Sequence, residues 1–225
     1  MLKKGAFLRE LPFVVISAFL VSILIKTFFI HFFYIPSGSM ENTLQVGDRI
    51  GVNKFSALFT EAKRGEVVVF GDPDKWLGDA PVSDRSSFVA KIKSGLVTVG
   101  VLPDPAKQYL IKRVIGVGGD NVICCDATGK LQVNGVSIKE PYIYKGDKPS
   151  DVKFNIDVPK GFIWVMGDHR SASADSRFNT DSAYAGMVPL GKIVGRATLI
   201  VWPFGNLDYI SKGSDLKKVP VKKLP

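Results

Sequence analysis

The chain has 225 residues, of which 46% are hydrophobic and 23% charged, and its formal net charge is +9. That balance is too apolar for a disordered chain and ordinary for a globular domain carrying one greasy segment. The positive charge is scattered and partly terminal, in Lys3, Lys4 and Arg9 and again in Lys217, Lys218, Lys222 and Lys223. No recognition-helix or zinc-finger spacing accompanies it, so no nucleic-acid partner is expected, and attraction to anionic lipid explains the termini as well.

Residues 1–10 read as a cytoplasmic flank. Leu11 to Ile30, LPFVVISAFLVSILIKTFFI, is twenty residues long. As a helix it spans about 30 Å, the thickness of the hydrocarbon core. Lys26 is the one formal charge inside and lies near the far end, where its stem can reach the interface. The flank carries Lys3, Lys4 and Arg9 against Glu10, which places the N-terminus in the cytoplasm and the rest outside. A cleaved leader needs small residues after its apolar run. Here His31, Phe32, Phe33 and Tyr34 follow instead, a poor cleavage site and a good aromatic interfacial belt.

Residues 31–210 read as a mainly β domain. Arg49–Asn53, Glu66–Phe70, Tyr109–Val117, Phe162–Met166 and Ala197–Trp202 are rich in Val, Ile and aromatics. Leu131–Val133 and Val136–Ile138 flank Asn134-Gly135, the signal of a two-residue hairpin turn. Residues 121–165 are expected to form a smaller β subdomain. Asp72 to Lys107 is polar and turn-rich, an irregular insertion. Residues 211–225 read as a basic disordered tail.

Cys124 and Cys125 are adjacent; a bond between neighbours closes a strained ring, so two thiols are expected. His31 and His169 supply no metal-ligand spacing, and no metal or cofactor is expected.

Three stretches carry candidate chemistry. In Ile35 to Asp48, IPSGSMENTLQVGD, Pro36, Gly38, Ser37 and Ser39 make a turn on which a hydroxyl stands clear of the backbone. Two serines two apart can serve one site, one attacking and one donating a hydrogen bond. Taken alone this is weak, since Ser-Gly-Ser loops are common. Lys112 lies in YLIKRVIGV among Leu110, Ile111, Val114 and Ile115. It either snorkels to a surface or is buried and neutral, and a neutral amine is a competent base for serine. Arg113, on the other strand face, then needs its own carboxylate. Gly167 to Arg177, GDHRSASADSR, reads as a salt-bridged knot or a solvated loop: Asp168 can pair with Arg113 or Arg170, and Asp175 with Arg177.

Together and in this order, PSGSM, RGEVVVF at Arg64–Phe70, KRVIGVGGD and GDHRSASADSR resemble the boxes of bacterial type I signal peptidases. The resemblance covers most of Ile35 to Trp202, plus the anchor. It implies an antiparallel-sheet catalytic domain with one N-terminal transmembrane helix, at the bacterial cell membrane, single-pass, with the catalytic domain outside. It implies removal of signal peptides from exported preproteins, after small residues in an Ala-x-Ala pattern, near the Sec translocon and the lipid bilayer. Carried over by residue, Ser39 is the nucleophile and Lys112 the general base. Ser37 and the Ser39 N–H form the oxyanion hole, and Ser173 orients the lysine. Gly167 permits close packing, while Asp168 with Arg113 and Asp175 with Arg177 hold the loop. Ile35, Met40, Leu44 and Ile111 match the pockets for small side chains, and the substrate binds as an added strand.

Two departures stand out. Asn42 occupies the place of a proline before Thr43-Leu44, and His169 stands where asparagine is usual, offering a rival Ser39–His169–Asp168 triad. Outside this family, the sequence also fits a self-cleaving Ser–Lys protease or a silent membrane-anchored β module that binds peptides.

Overall fold

The computed structural model describes residues 10–21, 30–55, 60–78, 108–213 and 215–220. Residues 10–21 form a helix whose apolar side chains, Phe13 and Phe19 among them, are exposed. No helix among the described residues is long and apolar enough to cross a membrane. The span expected over Leu11–Ile30 runs through residues 22–29, which lie outside the described residues, as do residues 79–107 of the expected insertion. Ile30 is already a strand residue, which shortens the expected helix at its far end.

Twelve strands follow: β1 Ile30–Tyr34, β2 Arg49–Asn53, β3 Val67–Gly71, β4 Tyr109–Val117, β5 Asn121–Cys124, β6 Gln132–Val133, β7 Val136–Ser137, β8 Phe154–Asp157, β9 Phe162–Met166, β10 Val188–Pro189, β11 Ile193–Trp202 and β12 Asp208–Tyr209. The domain is mainly β and every pairing is antiparallel, as expected. The large sheet has the order β1-β2-β11-β3-β4-β9-β10, with β12 against β11, and the small sheet the order β7-β6-β5-β8. Thus β11, late in the chain, separates β2 from β3.

β1 corrects one reading. Residues taken as an interfacial belt alternate along a strand, with Phe32 and Tyr34 exposed and Phe33 packed on the core. That period of two is the mark of a half-buried strand. The smaller subdomain also ends earlier than residue 165, because β9 joins the large sheet between β4 and β10. Asn134 and Gly135, with φ of 52° and 77°, form the turn between β6 and β7. Both central residues with positive φ are what a tight hairpin requires.

The expected disordered tail is also corrected for residues 215–220. Leu216 and Val219 are buried in the core of the small sheet with Val122, Val133 and Tyr142. Arg64 clamps the segment: it pairs with Asp120 through two nitrogens and donates to the Val219 carbonyl at 2.7 Å. Fully burying a Leu or Val is worth about 1.5–3 kcal/mol, enough to fix a short lysine-rich segment. Cys124 and Cys125 are joined as a disulfide rather than held as two thiols.

Candidate active site

The segment between β1 and β2 is closed at its base. Ile35 donates to the Asp48 carbonyl and Gly47 donates back to that of Ile35, each at 2.9 Å. Within this loop Gly38–Met40 winds into a 3-10 turn, which presents Ser39 from a buried position. Ser37, just before the turn, is extended and exposed. Met40 and Leu44 plug the underside of the loop into the core with Ile35, and Ile111 packs partly buried against them. Ile35, Met40 and Leu44 are closed to solvent, so the structure brings the four together as a floor rather than an open pocket.

Lys112 comes from the middle of β4, opposite Val68 of β3, and is only 4% exposed. Its Nζ lies 2.6 Å from Ser39 Oγ. Loss of hydration on burial brings its pKa down from 10.5 to about 8, against the upward pull of Asp175 and Asp168, with Arg177 adding to the lowering. Burial disfavours the charged form of an amine. A hydroxyl within hydrogen-bond reach of an amine that deprotonates near neutrality is the geometry of a base-activated nucleophile.

The loop after β9 closes over this pair. Asp175 accepts from the Gly167 N–H at 2.9 Å and from Arg177 through both carboxylate oxygens, each at 2.8 Å. Of the open alternatives, Asp168 pairs with Arg113, and Arg170 with Glu140 at 2.6 Å. Arg113 uses all five of its N–H donors: on both Asp168 oxygens, the Gly65 and Ser211 carbonyls and Thr43 Oγ1. A buried guanidinium with every donor satisfied is a structural element and not a mobile charge.

Gly167 lies so close to the serine turn that a Cβ there would run into the Ser173 side chain and the Ser39 carbonyl. Ser173 is buried beside it, but its Oγ has no hydrogen-bond partner among the described residues. The expected bond from Ser173 to Lys112 is therefore not formed here; the amine turns to Ser39 instead. His169 does not hydrogen-bond to the Ser39 hydroxyl. Its Nδ1 lies 3.0 Å from Glu41 Oε2 and 3.2 Å from the Gly38 carbonyl, and its ring stacks on Tyr144. Asp168, committed to Arg113, is not the third member of a histidine triad.

Several contributors gave no sequence signal. Asn42 has a φ of 81°, a left-handed backbone that proline cannot adopt. Its amide donates to the carbonyls of Tyr142 and Ile143 at 3.1 and 3.3 Å. Tyr142 sits between cations, with the Arg113 guanidinium 4.1 Å from its ring centre, and donates its hydroxyl to Glu140 at 2.9 Å. Glu140 and Tyr142 lie in an unremarkable polar stretch, and only the fold brings them under the serine loop. Thr43 Oγ1 lies 2.5 Å from Asp168 Oδ2 and links the serine loop to the loop after β9. Among the described residues no group of three or more His, Cys, Asp or Glu is placed to hold a metal ion.

The chain matches the model of the signal peptidase, peptidase S26, family over residues 8–202. Signal peptidase I of Mycobacterium tuberculosis (strain CDC 1551 / Oshkosh) is 38% identical over 220 residues, which cover 89% of this chain and 74% of its own. Signal peptidase I T of Bacillus subtilis (strain 168) is 28% identical over 201 residues, covering 86% of this chain and 84% of its own. The crystal structure of a signal peptidase I from Enterococcus faecalis V583 aligns with 62% of this chain and 98% of its own, at 23% identity and a TM-score of 0.39. A family match over most of the chain, with a relative 38% identical across 89% of it, places the protein: it belongs to the signal peptidase, peptidase S26, family and is a serine endopeptidase.

Proposed function

We propose that the protein removes signal peptides from exported preproteins, with Ser39 as nucleophile and Lys112 as general base. The observation that carries this reading is the 2.6 Å approach of a buried, pKa-lowered Lys112 to the Ser39 hydroxyl. Neutral Lys112 accepts the Ser39 proton as Oγ bonds to the scissile carbonyl carbon. Lys112 then returns that proton to the leaving amine, and the C–N bond breaks to leave an ester on Ser39. Water, deprotonated by the same amine, attacks the ester and releases the cut peptide with Ser39 restored.

The oxyanion is assigned to the Ser39 backbone N–H and the Ser37 hydroxyl, which is exposed beside the turn; one such donor is worth about 10²–10³ in rate. Ser173, buried with an unused hydroxyl, is assigned to accept an N–H of the Lys112 amine and orient its lone pair toward Ser39. The half-buried Ile111, over the closed floor made by Ile35, Met40 and Leu44, is assigned to contact the small residues of an Ala-x-Ala pattern. The substrate is an extended strand laid along this floor.

The apolar run Leu11–Ile30 is assigned as a single membrane anchor with a cytoplasmic N-terminus and the catalytic domain outside a bacterial membrane, near the translocon. Confining enzyme and substrate to one surface raises their effective concentration.

The test is cleavage of a peptide spanning an Ala-x-Ala site by the full chain in detergent with lipid. Ser39→Ala and Lys112→Ala are expected to abolish cleavage after the second alanine, while His169→Ala retains it. Loss with His169→Ala and retention with Lys112→Ala would transfer the base to histidine. A folded wild type that cleaves nothing would leave a silent peptide-binding module.

A further inference from the structure

A groove of about 720 Å³ runs along the connection from β7 toward β8, lined by Pro141, Ile143, Tyr144 and Lys145 among others. Its size is that of a site for a short peptide stretch. It abuts the serine turn. The Tyr144 ring stacks on His169 with centroids 4.0 Å apart, and the His169 backbone N–H donates to the Ser39 carbonyl at 3.2 Å. Ile35 and Ile111 pack in one cluster, and neither lines the groove. On the cleavage reading above, residues before the cut lie over Ile35 and Ile111, which leaves the groove beside His169 and Tyr144 for those after it.

Lys130, Lys139 and Lys145 line the groove together with Glu140, Asp147 and Asp215. Glu140 is paired with Arg170 and Asp215 with Lys218, while Asp147 accepts from the neutral Ser171 N–H and hydroxyl. With Arg170 and Lys218 counted, the cations outnumber the carboxylates by five to three. Lys130 and Lys145 have no carboxylate partner among the described residues.

We propose that this groove binds the first residues after the cut, and that it favours an extended segment carrying acidic side chains there. The proposal rests on the signal-peptide-cleaving reading above and adds to it a preference on the mature side.

The experiment uses the full chain in detergent and three peptides with one shared Ala-x-Ala site, bearing two glutamates, two lysines or two glutamines among the residues after it. For wild type, kcat/KM for the glutamate peptide over that for the lysine peptide is expected to be about threefold to tenfold, carried by KM and collapsing in high salt, as exposed charge pairs do. Lys130→Glu with Lys145→Glu, both surface changes whose folding is checked by thermal melting, is expected to bring the ratio to or below one. A wild-type ratio near one overturns the proposal, as does a ratio untouched by the double change. Failure to cleave the glutamine peptide at all would instead remove the underlying reading, and the proposal with it.

Discussion

Arg113 and Asp168 meet through two parallel hydrogen bonds, Nε to Oδ1 at 2.8 Å and a terminal nitrogen to Oδ2 at 2.6 Å, with both side chains closed to solvent. Asp168→Ala leaves that guanidinium buried without its counter-charge, which costs about 3–5 kcal/mol. The expected outcome is a much lower urea midpoint. Replacing both partners by apolar residues of similar size is expected to recover a large part of the loss. A midpoint unmoved by Asp168→Ala would mean that the pair holds nothing.

Lys112 ties activity and stability to the same proton. With Lys112 as the proposed base, cleavage needs the neutral amine, and kcat/KM is expected to rise with pH and level off above about 8. The folded chain holds Lys112 below its ordinary 10.5, so the unfolded chain binds more protons between about 8 and 10.5. Its contribution to stability is therefore lowest below about pH 8 and rises through that window, by roughly 3 kcal/mol in all. Lys112→Met is expected to be inactive yet up to about that much more stable at pH 7, with the advantage gone near pH 10.5. Denaturant titrations at both pH values read this directly.

Gly167→Ala drives a methyl group into the Ser173 side chain and the Ser39 carbonyl. The carbonyl belongs to the backbone of Ser39, the proposed nucleophile, so relief moves the turn. A displacement of about 1 Å at a reacting group costs about 10²-fold, and kcat/KM is expected to fall by that order with KM less affected. Normal kcat in a folded Gly167→Ala protein would contradict the close packing.

His169→Phe keeps a ring against Tyr144 but removes the contacts to Glu41 and the Gly38 carbonyl. The turn loosens and kcat is expected to drop by roughly tenfold, one lost hydrogen bond's worth. The pH at which activity rises should stay where Lys112 sets it. A shift of that midpoint would bring the imidazole into the proton path.

Leu216→Ala opens the core beneath the small sheet, where the side chain is fully enclosed. Such truncations cost about 2–5 kcal/mol, and a thermal melt is expected to show it. A variant as stable as wild type would return the segment to a loose tail.

Much of this was legible in the residues. The bounds of β4 and β9 follow from unbroken Val, Ile and aromatic runs, and the turn at Asn134-Gly135 from its chemistry. β1 was hidden because its alternating aromatics adjoin a longer apolar run, and a short β-period pattern carries little weight beside it. β5 and β8 are four residues each, and three of their eight residues, Asn121, Asn155 and Asp157, are polar and joined at the surface. The tail misled because its lysines dominate the composition, while Leu216 and Val219 alone decide its place. At the site, residue types alone left Ser39 weak and Lys112 open, and only the resemblance of the four boxes together singled them out; the contacts of Asn42 with Tyr142 and Ile143 run about a hundred residues along the chain, which no local pattern records.

The place of β11 has a consequence in time. The sheet portion that carries Ser39 is β1 with β2, and the portion that carries Lys112 is β3 with β4; β11 is the strand that joins them. A chain still emerging, with both reactive residues already made but Trp202 not yet delivered, has two unjoined sheet fragments and no centre.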